Sequence, residues 1–400
     1  MKIKRVCLRN LLKPIGISAL IAIPILLLTL AANNLRWTFG AEKAKLMWYE
    51  HLRRGWGGEV GNDVLVDSML LLIDVHNDRL LVEDEMEGGR EAVVNHAHLY
   101  KLLRELSERD DYKYIMLDVF LDAGISQPGD SALYRLIASM PRIVIPKAPK
   151  PLADSCLMTK AGAAQYGTAI WETDFVKYPY WTKDESSMPL MMYEELTGRH
   201  VSRYGPLLFE GKQLVRSSTI LTYEIVEDER LMENRLFMDM IVSDSIDSPV
   251  LFTPDMAKDK YVLIGDFSSD RHNTFLGSMS GTLINFNAYL SLVRGHHYIT
   301  IGLIFGLYLL FIFLVFVTIH YTSFSRFIMW LGYPAILLIV CFLTYIWSNQ
   351  VYDVLWVTII FYLLEKLVYL WENRKKIKEW GKAKRVMIRQ DFRKIKRNKK

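Results

Sequence analysis

The chain has 400 residues, 51% of them hydrophobic, and its apolar residues are concentrated in runs long enough to cross a bilayer. Its formal net charge of +5 combines two basic ends with an acidic middle: residues 1–13 carry five Lys/Arg and no acid, residues 371–400 carry fourteen Lys/Arg against three Asp/Glu, and the remainder is net negative by eleven. Basic charge beside apolar runs reports membrane orientation first, so nucleic-acid binding is not expected. The three cysteines, Cys7, Cys156 and Cys341, exclude both a disulfide framework and a cysteine-ligated zinc site.

Residues 1–13 form a basic flank and residues 14–32 an unbroken apolar run, in which Pro24 is tolerable inside a membrane helix. An uncleaved first span is expected, with a cleaved signal peptide as the alternative; the run exceeds the usual signal core of about 7 to 15 residues. Residues 33–297 have the polar loops and short apolar segments of a water-soluble domain. Within it, Leu65–Val75 (ending SMLLLIDV), Tyr112–Leu121 (YKYIMLDVFL), Arg142–Pro146 (RIVIP) and Lys260–Gly265 (KYVLIG) predict buried strands. Helical spacing over Val94–Leu106 and a short helix capped by Asp130 fall between them, with further helices expected at Leu190–Leu196, Glu229–Met240 and Leu283–Val293 and a strand at Ile220–Val226. Lys147–Thr219 has no clear period and is expected to be an insertion or cap. Alternating strands and helices predict an α/β domain with a mostly parallel or mixed sheet.

Three further apolar runs, Ile299–Ile319, Phe327–Trp347 and Val351–Leu370, occupy residues 298–370 and predict three closing spans, four in all. An even number of crossings places both termini on one side. The basic flanks assign that side to the cytoplasm and the 33–297 domain to the exterior, in a multi-pass protein of the plasma membrane. The tail, residues 371–400, has the pattern of a basic amphipathic helix. Arg374, Lys375, Lys376, Lys384 and Arg385 supply charge, while Trp380 and Phe392 supply an apolar side. Such a helix suits an anionic lipid surface or a cytoplasmic or envelope protein partner; simple enforcement of orientation is the plainer reading.

Little in the chain announces chemistry. There is no G-x-S-x-G elbow, no H-E-x-x-H and no phosphate-loop glycine spacing. Asp74, Asp118 and Asp266 stand at or just beyond the carboxyl ends of predicted strands, the edge where open α/β sheets bind ligands. Carboxylates converging there suit a divalent cation or acid–base work; against that, aspartates commonly fill loops and cap helices after strands. His96 and His98, two apart, are not expected to act as a set, and His296 and His297 are expected at the membrane interface. No motif assigns a cofactor, a metal or a catalytic residue, and the depth of the spans lacks the polar residues expected of a transporter.

Several of these segments together carry a resemblance. LLLIDVHNDR ends in Asp74, Arg90 precedes the HAHLYKLLREL helix, and YIMLDVFL contains Asp118. Asp130 opens a helix, and YVLIGDFSSD followed by SGTLINFN contains Asp270, Gly281 and Asn287. In this order, between one leading and three closing spans, they resemble the second class of CHASE-type extracellular sensory domains, found in bacterial cyclases and sensor kinases. The resemblance covers most of residues 14–370 and implies a bacterial inner-membrane sensory receptor that binds a ligand or partner outside, with Arg90 and Asp270 joining Asp74, Asp118 and Asp266 as candidate ligand-binding residues and a homodimer as candidate assembly. Three positions depart from the pattern: His76 stands where an acidic residue is usual, Asn285 stands for a histidine, and the proline expected after Asp270 is absent, with Phe275 nearby. The family's ligand is therefore not carried over. Residues 371–400 are too few for a cyclase or kinase fold, so signalling through a separate cytoplasmic protein is expected, with a structural scaffold of an envelope complex as the alternative.

Overall fold

The computed structural model describes residues 2–33, 46–49, 51–52, 68–83, 88–121, 126–147, 165–168, 170, 174–182, 185–205, 207–221, 223–242, 251, 256–320 and scattered positions between 339 and 374. The chain divides into two compact units, one of residues 1–33, 300–344 and 351–400, the other of residues 34–299 and 345–350.

The larger unit is built on six strands: β1 (Leu70–Asp74), β2 (Tyr114–Asp118), β3 (Ile143–Lys147), β4 (Gln165–Thr168), β5 (Leu236–Phe237) and β6 (Tyr261–Gly265). They form one sheet in the order β5-β1-β6-β2-β3-β4, and every neighbouring pair is parallel. A parallel sheet is covered on both faces, which is why β1, β2 and β6 are continuous apolar runs rather than alternating ones. The longer helices of the chain are α1 (Lys2–Asn33), α2 (His96–Arg109), α3 (Asp130–Ser139), α4 (Met188–Thr197), α5 (Gly281–Val293) and α6 (Ile301–His320). Strand residues of one parity, Leu71, Ile73, Ile115, Leu117, Ile143, Ile145, Val262 and Ile264, pack with Leu99, Leu102 and Leu106 of α2 and Leu133 and Ile137 of α3. Residues of the other parity serve the opposite layer. Tyr261 stacks near Phe286 of α5 and its hydroxyl lies 3.0 Å from that of Tyr289. Tyr114 donates to Glu195 of α4 at 2.5 Å.

Local chemistry sets the helix ends. Asn95 accepts from the amides of Ala97 and His98 at the start of α2, and Asp110 closes it in the left-handed region at φ 50°. Asp130 does not cap α3 as expected: Gly129 holds the N-cap position at φ 96°, and Asp130 is turned instead to the Gln127 amide (2.8 Å) and the His96 ring (2.7 Å). His98 is likewise paired separately, with Asp78 at 2.7 Å.

Three other expectations are corrected. The stretch 147–219 is more than a cap, because it supplies the edge strand β4 and the covering helix α4. Gly167 allows their close approach: a Cβ there would lie 2.3 Å from the Met188 amide nitrogen. The strand expected at Ile220–Val226 is Ser218–Ile220, paired antiparallel with Lys177–Pro179 outside the main sheet. The helix expected over Glu229–Met240 is broken, since Leu236 and Phe237 pair with Ile73 and Asp74 and extend the sheet by one edge strand.

In the smaller unit, α1 and α6 each contain 19 residues long and apolar enough to cross a membrane, Lys13–Ala31 and Ile301–Ile319. The two helices pack together, and the Tyr308 hydroxyl donates to the Ala19 carbonyl at 3.2 Å. Ser18 and Thr29, both buried, donate back to carbonyls one turn earlier, which satisfies hydroxyls in an apolar helix. The expected spans Phe327–Trp347 and Val351–Leu370, and the tail with Lys375, Lys376, Trp380, Lys384, Arg385 and Phe392, lie largely or wholly outside the described residues; Arg374 is described, helical and exposed.

Candidate functional site

The register places Asp74 beside Gly265 and Gly265 beside Asp118, so β1, β6 and β2 end level at one edge of the sheet. Strand β6 returns between β1 and β2, so the connections leave this edge in opposite directions. That is the arrangement in which open α/β sheets form a ligand crevice. A cleft of about 300 Å³ opens there. One wall is a hairpin of Arg79–Glu83 and Arg90–Val94; the rest includes Asp118, Val119, Phe175, Asp266, Asp270, His272 and the first turns of α5.

The five candidate residues have different fates. Asp74 is fully buried and does not line the cleft. It accepts from the amides of His76 (2.9 Å) and Phe267 (3.3 Å) and from the Ser268 hydroxyl (3.1 Å), with Arg235 3.5 Å away, and so ties the β1 and β6 loops together. Arg90 is exposed at the far end of the hairpin, 3.5 Å from Glu83, and is not a cleft residue. Asp118, Asp266 and Asp270 all line the cleft.

Asp266 is an internally neutralised group. It accepts from the amides of Ser268 (3.0 Å) and Ser269 (2.7 Å), from the Ser269 hydroxyl and from the Arg79 guanidinium, and its carboxylate lies 3.3 Å from the His76 ring. Burial alone would raise its pKa, but the Ser269 and Ser268 hydrogen bonds, with His76, hold it down to about 2. Such a carboxylate stabilises the fold above its unfolded pKa of 3.8 and loses that contribution as pH falls through 2. Asp266→Asn is therefore expected to lower stability by about 2 kcal/mol at neutral pH. Thermal unfolding of the full chain in detergent should show the deficit at pH 7 and none at pH 2; equal melting temperatures at pH 7 would refute this assignment.

Asp118 is the opposite case. Its Oδ2 accepts from Thr282 Oγ1 (3.1 Å) and Asn285 Nδ2 (3.0 Å), one turn apart on α5, while among the described residues its Oδ1 receives no hydrogen bond. Burial, and then the nearby Asp270 carboxylate, push its pKa up to about 6 against those two hydrogen bonds. The Asn285 amide is itself oriented: the Tyr178 hydroxyl donates to its Oδ1 at 2.6 Å, which leaves the NH₂ for Asp118. Burial keeps Tyr178 protonated and able to donate. Asp270 approaches the first residue of α5 so closely that a Cβ on Gly281 would lie 2.3 Å from its Oδ2. Its Oδ1 is 3.0 Å from His272 Nε2, and the His272 ring stands edge-on to Phe175.

No family model, curated protein or solved structure matches the chain. Among the described residues no group of three or more His, Cys, Asp or Glu is arranged to hold a metal ion. The cleft offers an oriented carboxylate, a second carboxylate beside it and an apolar wall, which is equipment for binding. Arg79, Tyr178, His272 and Thr282 were not read from the sequence. The Thr282–Asn285 pair, three apart on a predicted helix, carried the only local signal, because that spacing puts both on one face.

Proposed function

We propose that this chain is a membrane sensory receptor whose 33–297 domain binds a small ligand or partner outside the cell in the cleft at the carboxyl edge of β1, β6 and β2. In this reading four spans anchor it in a bacterial inner membrane, both termini are cytoplasmic, and the basic tail passes the signal to a separate cytoplasmic protein. The resemblance to the second class of CHASE-type domains belongs to the same proposal. The observation that carries it is Asp118: a half-buried carboxylate lining the cleft, oriented by Thr282 and Asn285 and, among the described residues, in no ion pair. A group held at such cost is characteristic of a binding site.

A second reading, a scaffold of an envelope complex, draws on the exposed apolar side chains of the hairpins, Leu81 at 65% and Tyr204 at 68% exposure. Orientation and output are tested together. With the native cysteines replaced, Ser131→Cys on the exposed side of α3 should react with a membrane-impermeant maleimide in intact cells, and Lys376→Cys only after permeabilisation. Equal labelling of both in intact cells sinks the topology. A cytoplasmic partner lost on deletion of residues 371–400 supports reception, whereas an envelope partner retained without them supports the scaffold.

A further inference from the structure

The cleft also carries information about the class of compound it accepts. Among the described residues four carboxylates line it, those of Glu91, Asp118, Asp266 and Asp270, against one guanidinium, Arg79, and one imidazole, His272. Arg79 is spent on Asp266 and His272 on Asp270. The positive end of α5, where an anionic ligand would ordinarily dock, is already occupied by the protein's own acids. Asp118 takes the Thr282 hydroxyl and the Asn285 amide, and Asp270 sits against Gly281, whose amide donates to the Asp270 carbonyl at 3.0 Å. What remains in the lining is the Oδ1 of Asp118, which no described residue hydrogen-bonds, beside the Asp270 carboxylate; the two acids repel each other, and the nearest basic group is the single His272 ring on Asp270. The lining also has an apolar part, made of Val75, Ala92, Val94, Val119 and Phe175.

We infer that the cleft takes a small organic ammonium compound, its cationic nitrogen between Asp118 and Asp270 and its carbon skeleton against the apolar wall. This rests on the reading of the cleft as the receptor site. An N–H⁺ donor aimed at Oδ1 makes the charge-assisted hydrogen bond that no described residue supplies, and relieves the repulsion between the two acids. A compact ammonium suits the place better than a metal ion, since the described residues bring no third ligand. The orienting chain from Tyr178 through Asn285 to Asp118 fixes the carboxylate before the ligand arrives, which reduces what binding must order.

Three compounds with one four-carbon skeleton separate the alternatives: 1,4-diaminobutane, 1,4-butanediol and succinate, each titrated calorimetrically against the full chain in nanodiscs. The diamine should bind, and the diol and the diacid should not. Binding should weaken by about tenfold or more in Asp118→Asn, which keeps the acceptor for Thr282 and Asn285 but loses the charge. Gly281→Ala should weaken it too, by pushing the Asp270 carboxylate aside, and alanine does not weaken the helix itself. Ala92→Trp, which fills the cavity, should abolish it. Preferential binding of succinate or the diol, lost in Ala92→Trp, would overturn the ammonium class and leave the cleft as a binding site. Diamine binding that survives all three substitutions would be general attraction to an acidic surface and would overturn the inference, as would no diamine binding at millimolar concentration.

Discussion

Replacing Asp118 with asparagine is expected to stabilise the protein above pH 6, by about 3 kcal/mol, and to change little below pH 4. The sign follows from the raised pKa, about 6 in the fold against 3.8 unfolded. Between those values the native state holds a proton that the unfolded chain has released, so native stability falls as pH rises through the window. Above pH 6 the whole penalty is present. Asparagine removes it while keeping one oxygen for Thr282 and Asn285, and its new amide faces Asp270 as a donor. A residue retained only for structure should behave in the reverse sense, as is expected of Asp266, where the charge is welcomed by Arg79 and two serines. Thermal unfolding of wild type and Asp118→Asn from pH 4 to pH 8 distinguishes the two. A variant that melts lower than wild type at pH 8 would mean that Asp118 is another loop anchor, and the receptor reading would lose its main support. Stability gained together with binding lost is the usual sign of a functional group held at a cost to the fold.

The opposite behaviour of these aspartates explains how far the sequence could be read. Asp74, Asp118 and Asp266 look alike in one dimension, each closing an apolar run, because buried parallel strands are written as uninterrupted aliphatic stretches and end where the chain meets polar groups. The strands β1, β2, β3 and β6, the helices α2 and α5 and the carboxyl-edge location of the acids were legible for that reason. Their division into anchor and ligand group was not, since it depends on Arg79, Tyr178 and Thr282, which reach the same edge from distant parts of the chain. Arg90 illustrates the same limit: antiparallel pairing of Arg90 with Glu83 at the end of the hairpin carries it away from the cleft, and nothing local encodes that pairing. β4 and β5 escaped notice because four and two residues of edge strand carry no measurable period. His297, expected at a membrane interface, is 2% exposed within the larger unit; its partner Glu210 lies 87 positions earlier.

That buried pair supports the second large prediction. Glu210 accepts from His297 Nε2 at 2.9 Å, from the Tyr193 hydroxyl at 3.2 Å and from the Tyr298 hydroxyl, with Arg199 3.6 Å away. Burial is the main cause that lowers the His297 pKa, with Glu210 opposing, so the ring is neutral and donates through Nε2, while its buried Nδ1 has no hydrogen-bond partner among the described residues. Glu210→Ala would leave the buried His297 ring without its acceptor and remove an acceptor from the Tyr193 and Tyr298 hydroxyls, which keep their contact with each other, and the expected loss is about 3 kcal/mol. Glu210→Gln, which keeps an acceptor, should lose less than half as much. The location gives the loss a second readout. Residues His297 to Ile299 continue the three-stranded sheet of Val201–Tyr204, Leu207–Glu210 and Gln213–Val215, through Arg216 N to His297 O (2.9 Å) and Ile299 N to Leu214 O (2.9 Å). Two residues later the chain enters α6. Glu210 therefore fastens the last segment of the domain before α6, and hydrogen exchange at Ile299 should rise in Glu210→Ala by more than at Val262 in the central strand. Uniform acceleration at both positions would show that the cluster supports the whole unit equally, and would remove Glu210 as the fastening of the segment that leads into α6.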